Sequence, residues 1–360
     1  MSGEVAPLRQ RLLDWFARQR RDLPWRATTD PYRLWVAETL AQQTQAARAA
    51  AYYERFIERF PTLEALAAAD LSEALKQWEG LGYYQRARRL HEAARRIRAE
   101  RGGTLPRAAA EWRTLPGVGD YTAAAIASMA FGEPVAAIDG NVRRVLSRLS
   151  ATEIGDSLAR QSAVVGARAQ ALVAGARPGD VNQALMELGA TVCRPRRPRC
   201  GACPLGDACE ARRAGLTAVY PLRPPRKARP IRPFACLLVH WGDQRLVVRR
   251  TATRLLGGLW EFPTIACREG EGERAAAERG LRDLGLTARR MEPGPSLTQS
   301  FTHFRQTLQT FLVEVAAPGD PASVEARWAT RARLEALPLT QVARRLAARD
   351  GLCAAGDPPA

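Results

Sequence analysis

Apolar residues recur every three or four positions through about the first 215 residues, and nothing before residue 230 alternates in the manner of a strand. Leu8, Leu12, Trp15 and Phe16 mark one face of a helix over 8–20, which Leu23-Pro24-Trp25-Arg26 ends. Asp30-Pro31 opens the next helix, because Asp30 can cap it and Pro31 suits its first position. Leu34, Trp35, Glu38, Ala41 and Gln42 share a face of that helix. Helical spacing continues over 46–60 and 63–79, and Leu81-Gly82-Tyr83-Tyr84 turns into an arginine-crowded helix from Gln85 to Arg101. A short helix from Ala108 to Thr114 meets Leu115-Pro116-Gly117-Val118-Gly119-Asp120, and a second runs from Tyr121 to Ala130. Helices over 142–173 and 180–192 follow.

Past residue 220 the pattern changes. Residues 220–233 carry five prolines and five basic residues and predict an extended, semi-stiff linker. Phe234–Trp241 and Arg245–Arg250 read as strands joined by a Gly242-Asp243 hairpin. Gly257–Pro263 is a loop entering another strand, 273–284 a helix, 306–315 a strand and 333–348 a closing helix. The expected organisation is an all-helical domain over 1–219, a linker over 220–233 and an α+β domain over 234–350.

The net charge of +17 argues for a polyanionic partner, nucleic acid first and anionic membrane second. A GC-rich genome also produces arginine-rich chains. The amino terminus MSGEVAPLRQ lacks an apolar signal core, and no run of about 18 apolar residues suggests a membrane span. A cytoplasmic protein is expected, so the seven cysteines should be reduced or metal-bound rather than paired.

Five features carry candidate chemistry. Backbone N–H groups at the Gly117–Gly119 turn, with the positive end of the next helix, form a ready phosphate site. Alone, it would be an ordinary turn between helices. Asp139-Gly140-Asn141-Val142 comes about twenty residues later. Glu38 sits in a partly apolar row; it is a satisfied structural acid or an acid catalyst with a raised pKa, and position alone favours the former. Gln42-Gln43-Thr44-Gln45 is too polar for a core, and glutamines can bond base edges. Finally, Cys193, Cys200, Cys203 and Cys209 lie within seventeen residues. One close pair with longer loops on either side suits a single cubane cluster, with zinc as the alternative.

Together, the glycine hairpin, the later aspartate and the C-x6-C-x2-C-x5-C set resemble the iron–sulfur DNA glycosylases of the endonuclease III superfamily over residues 8–212. Within it, the chain looks most like the MutY-type adenine glycosylases. Pro31–Glu38 with Gln42–Gln45 looks like the segment bearing that family's catalytic glutamate. Tyr121 stands where the lyases carry lysine. Residues 231–348 resemble the family's MutT/Nudix-like carboxy-terminal domain, including Gly258–Pro263 and Phe301-Thr302-His303.

The resemblance implies an all-α helix-hairpin-helix core with a [4Fe-4S] loop, followed by an α+β lesion-reading domain. It implies a monofunctional glycosylase of base excision repair, removing adenine opposite 8-oxoguanine or guanine in double-stranded DNA. On that reading Glu38 protonates the base and Asp139 stabilises the sugar cation. Tyr121 and Asn141 orient the pair. Arg26 and Gln183 lie near the extruded adenine, Gln43 enters the duplex, Tyr83 is a wedge at the lesion, and Gly117 and Gly119 hold the strand. Phe301, Thr302 and His303 read 8-oxoguanine, and all four cysteines hold the cluster. A monomer with no membrane partner is expected, at the nucleoid when bound to DNA. Two departures stand out: Thr302 replaces the usual serine, and Ala41 a larger apolar residue. Arginines on the helix near Glu278 replace the glutamates a MutT-type hydrolase needs for magnesium, so no pyrophosphatase activity is expected. The rivals are a bifunctional lyase for oxidised pyrimidines and a non-catalytic lesion-binding protein.

Overall fold

The computed structural model describes residues 2–224, 228–251, 256–301, 303–319, 321 and 324–348. Two compact units result, one of Met1–Ala69 with Arg86–Pro225, the other of Asp70–Gln85 with Arg226–Ala360.

The first unit is helical. Its first helices are α1 (Ser2–Gln19), α2 (Pro31–Ala41), α3 (Ala46–Arg59) and α4 (Leu63–Ala68); α5 (Leu71–Gln77) belongs to the second unit. Then come α6 (Gln85–Arg101), α7 (Ala109–Trp112), α8 (Asp120–Phe131), α9 (Gly140–Leu149), α10 (Ala151–Ile154), α11 (Leu158–Val173), α12 (Pro178–Thr191) and α13 (Glu210–Arg213). α2 starts as its sequence dictates, with the Asp30 carboxylate accepting from the N–H groups of Tyr32 (2.8 Å) and Arg33 (3.3 Å). Tyr32 and every residue from Leu34 to Leu40 are buried, so α2 is a central helix rather than an amphipathic surface one.

Long helical runs are divided where local caps compete. The expected helix over 63–79 breaks before Asp70, whose side chain and that of Glu73 form a capping box at the start of α5. The expected 142–173 run becomes three helices, because Gly155 turns left-handed (φ +58°) and Ser157 caps α11. Helix α9 begins at Gly140 with Asp139 as its cap. It approaches α12 so closely that a Cβ on Gly189 would lie 2.5 Å from the Asn141 Cβ.

The second unit holds a mixed sheet. Its strands are β1 (Ile231–Trp241), β2 (Gln244–Arg249), β3 (Trp260–Glu261), β4 (Thr264–Ala266), β5 (Ala288–Ser300), β6 (Arg305–Val315) and β7 (Ala326–Ala329). The order is β3-β2-β1-β6-β5, with β4 added to β1 and β7 to β2. β1 and β6 run parallel; β1 and β2 form the hairpin expected at Gly242, whose φ is +57°. Its helices are α14 (Glu273–Asp283), α15 (Arg331–Ala336) and α16 (Gln341–Ala347). The last two replace the one helix expected over 333–348. Thr340 caps α16 after Pro338, and a proline disfavours helix in the residue before it.

One expectation needs correction, and two strands went unread in the sequence. The stretch 220–233 is not all linker. The Tyr220 hydroxyl donates to the Gly155 carbonyl (2.6 Å), the Leu222 N–H to Gln161 (2.7 Å), and Ile231–Pro233 already pair with β6. Strand β5 gave no clear pattern because Pro293, Gly294 and Pro295 interrupt it; it lies at the sheet edge, where proline is tolerated, and its register shifts between Pro293 and Ser296. The four residues of β7 are too short to show alternation.

Gly189→Val should cost about 1–3 kcal/mol, because overpacking here meets helix backbone. Gly119→Ala, where a Cβ meets nothing within 4 Å, should stay within about 0.5 kcal/mol. Denaturant titration of the two full-length variants checks the contrast.

Candidate active site

A cleft of about 1120 Å³ opens in the helical unit. It is lined by Arg26, Glu38, Gln43, Gly117, Gly119, Tyr121, Asp139, Asn141 and Gln183 among others. Nine sequence candidates thus meet on one surface, brought there by α2, the turn before α8, the start of α9 and α12.

Glu38 projects from α2 and is buried. The Tyr121 hydroxyl, from the first turn of α8, donates to Glu38 Oε2 at 2.7 Å and lies 3.3 Å from Met186 Sδ. Burial pushes the Glu38 carboxyl from 4.5 up to about 7; the Tyr121 hydrogen bond opposes this, and the negative charge of Asp139 adds to it. Burial and the same two carboxylates raise the Tyr121 phenol well above its ordinary value, so it stays a donor.

Asp139 is both cap and candidate catalyst. Its Oδ1 accepts from the N–H groups of Asn141 (2.8 Å) and Val142 (2.7 Å), and its Oδ2 from Asn141 Nδ2 (2.7 Å). The Arg144 guanidinium holds Asn141 in turn, donating to its Oδ1 (2.8 Å), to the Gly189 carbonyl (2.7 Å) and to the Cys193 carbonyl (2.7 Å).

Sequence reasoning missed Glu187. It lies one helical turn beyond Gln183 on α12, which puts both on one face and was the available signal. Its buried carboxylate accepts from Arg21 Nε (2.7 Å), Arg21 Nη2 (2.9 Å) and Arg26. Burial works to raise its pKa, but the hydrogen bonds from Arg21 and Arg26 win and hold it below the ordinary value. Arg26 therefore touches the site through Glu187. Two glutamates in one cleft are driven in opposite directions, one toward the neutral acid and one toward the anion.

The hairpin needs glycine at only one of its two positions. Gly117 has φ +80°, and a Cβ there would lie 2.7 Å from the Arg89 Cβ. Gly119 has φ −94°, an ordinary angle, and faces open space where another molecule's backbone could approach. Gln43 is exposed at the cleft rim with φ +55°, an unusual angle for a side-chain-bearing residue. Gln42 instead bridges to Thr122 Oγ1 at 3.1 Å.

The four cysteines form a half-buried loop after α12. Burial pushes the Cys203 thiol up to about 11, and Cys193, Cys209 and Cys200 all add to that shift, so the four thiols lie within electrostatic reach of one another. Arg148, from α9, donates to Cys193 Sγ (3.3 Å) and to the Arg194 carbonyl (2.8 Å). Among the described residues, no group of three or more His, Cys, Asp or Glu side chains is set to hold a single metal ion.

The remaining candidates belong to the second unit. Tyr83 is half exposed. Phe301 is half-buried, stacks on Phe304 with centroids 4.8 Å apart, and lines a separate cavity of about 300 Å³. His303 is exposed, and Thr302 lies outside the described residues.

Comparison with known proteins now decides the family. Residues 36–163 match the HhH-GPD superfamily of base excision DNA repair proteins, and residues 234–349 match the NUDIX domain. The human adenine DNA glycosylase is 37% identical over 388 residues, covering 91% of this chain and 71% of that protein. The chain belongs to the adenine DNA glycosylases. The Mycolicibacterium smegmatis adenine DNA glycosylase is 42% identical over 213 residues, covering 58% of this chain and 70% of that protein. A thermostable thymine-DNA glycosylase is similar in structure, with a TM-score of 0.53 and 32% identity over 58% of this chain and 97% of its own. This glycosylase thus combines a helix-hairpin-helix helical core with a Nudix-like mixed-sheet domain. It acts on the N-glycosyl bond of adenine in DNA, in base excision repair. No helix among the described residues is long and apolar enough to cross a membrane.

Because the folded chain binds the Glu38 proton more tightly than the unfolded chain does, stability should fall as pH rises from 4.5 to about 7 and then level. Glu38→Gln should flatten that segment of a melting-temperature profile. Tyr121→Phe removes a donor that favours the carboxylate, so it should move the upper end of the segment to higher pH.

Proposed function

We propose that this cleft excises adenine paired with 8-oxoguanine or guanine, with Glu38 as the acid and Asp139 as the anionic stabiliser. The observation that carries the reading is a buried carboxyl raised to about 7, bonded to Tyr121 and facing Asp139 across the cleft. An adenine in a duplex must leave the stack before its sugar bond is reachable. The bound base then meets two kinds of partner. Glu38, held part-protonated near neutrality, donates to a ring nitrogen, which turns adenine from a poor leaving group into a good one. Glu187 stays an anion and offers an acceptor to the exocyclic amine, while Gln183 offers an amide to the same base edge. As the glycosidic bond breaks, positive charge grows on the sugar. Asp139 is fixed by three hydrogen bonds, so it stabilises that charge without reorganising. Water completes the hydrolysis.

Tyr121 supports a monofunctional reaction, since its phenol is no amine and cannot form a Schiff base. Gly117, Gly119 and Gln43 on the cleft rim suit contacts to the strand and to the gap left by the base. In the second unit, Phe301, His303 and Tyr83 are the surfaces for the base opposite.

Cys193, Cys200, Cys203 and Cys209 would hold a [4Fe-4S] cluster. Four soft thiols in mutual reach fit that group. Cysteine thiolates are the donors that iron–sulfur clusters take, and four of them are at hand here. When bound, the cluster fixes a loop whose Arg194, Arg196, Arg197 and Arg199 can meet phosphates.

The test is a labelled duplex with one adenine opposite 8-oxoguanine, split and treated with or without hot alkali. Cleavage only after alkali is expected; cleavage without it would restore the lyase reading. Asp139→Asn should lower the single-turnover rate by about 100-fold or more, the scale of losing one preorganised electrostatic stabiliser. The wild-type rate should fall as pH rises through about 7, because the acid form is then lost. Cys203→Ser should lose visible absorbance; a colourless wild-type protein containing zinc would overturn the cluster assignment.

A further inference from the structure

The segment Asp70–Gln85 lies in the chain between helices of the first unit, yet it clusters with the second. Two of its side chains bond to the carboxy-terminal segments of that unit. Lys76 Nζ donates to the carbonyls of Glu335 and Leu337, the latter at 3.3 Å. Glu79 Oε1 accepts from the Leu339 N–H at 3.0 Å and from Arg344 Nε at 2.7 Å. Lys76 and Glu79 also pair with each other at 3.0 Å. The Glu79 carboxylate is the shielded member, only 10% exposed, while the two cations that meet it, Lys76 at 34% and Arg344 at 41%, keep contact with solvent. It grips the end of α15, the loop after it and the first turns of α16.

Four residues beyond Glu79 stands Tyr83. Its turn is stiff. Gly80, Gly82 and Tyr83 all have positive φ, at 87°, 84° and 51°. The Gly80 N–H donates to the Tyr84 hydroxyl (2.9 Å), and Trp78 Nε1 donates to the Gly82 carbonyl (3.1 Å). A left-handed tyrosine is a costly conformation, kept only where surroundings over-determine it. Yet its side chain is half exposed, which is a poor return if packing were its purpose.

We propose that Lys76 and Glu79 are positioning residues that fasten the Tyr83 turn to the sheet-bearing unit. Tyr83, Phe301 and His303 then address the base opposite adenine as one rigid piece. The cluster thereby sets discrimination between 8-oxoguanine and guanine without touching DNA. This rests on the reading of Tyr83 and Phe301–His303 as contacts to that base.

The test uses full-length Glu79→Ala, Arg344→Ala, the double variant and Arg344→Lys. Two quantities are read: amide hydrogen exchange across residues 79–85, and kcat/KM for adenine opposite 8-oxoguanine divided by that opposite guanine. Each alanine variant should speed exchange and lower the ratio about tenfold; the double should be no worse than either single, since both break one cluster. Arg344→Lys should keep most of the ratio. The kcat/KM for adenine opposite guanine should hold, which a general loss of fold would not allow. Unchanged exchange would overturn the fastening. Faster exchange with an unchanged ratio would overturn the positioning role. If the wild type excises no adenine at all, the reading of the cleft fails, and the exchange data still decide the fastening.

Discussion

The cleft depends on one unfavourable burial. Glu38 sits on a helix whose neighbouring residues are almost all inside the protein, so water cannot solvate its charge. The chain tolerates this because the neutral acid is acceptable there and one hydroxyl satisfies it. Asp139 raises the cost of ionising further. The result is a proton held at about neutral pH beside a second carboxyl group. Catalysis by a protonated carboxyl requires that state, and an exposed glutamate at 4.5 could not supply it.

The partner is held by a different device. Asp139 gains its place by capping α9, a local rule, and its Oδ2 is fixed by Asn141. Arg144 then ties Asn141 to α12 and to the carbonyl of Cys193. One turn later, Arg148 reaches the cysteine loop itself. So the four-cysteine loop and the candidate stabiliser are braced by arginines of the same short helix. Loss of the loop's order would be felt at Asp139 through Arg144, with no contact between a metal group and the base.

Much of this was legible. The Asp30-Pro31 start, the glycine hairpin, the cysteine spacing and the change of pattern past 220 are local signals, and local signals survive in sequence. Glu38 was ambiguous because periodicity shows that a residue faces inward, not what it meets there. Glu187 was missed although it shares a helix face with Gln183. Its function depends on Arg21 and Arg26, about 160 positions away, and no local rule joins them. At Gly119 the angle is ordinary and only the open space around it is distinctive, a property of the folded surface. The edge strand β5 escaped because its prolines argue against a strand in general and are tolerated only at an edge, a place that exists after folding.

The division of the chain makes the same point at larger scale. Sequence order assigns residues 70–85 to the helical half, and their composition agrees. Charge pairing puts them with the sheet. An exposed lysine–glutamate pair would be worth little, but Glu79 is shielded and accepts a backbone N–H that would otherwise lack a partner in α16's approach. That geometry makes the segment a limb of the second unit inserted between α4 and α6. Tyr83 lies near the end of that segment, in the chain between helices of the first unit and in space with the second.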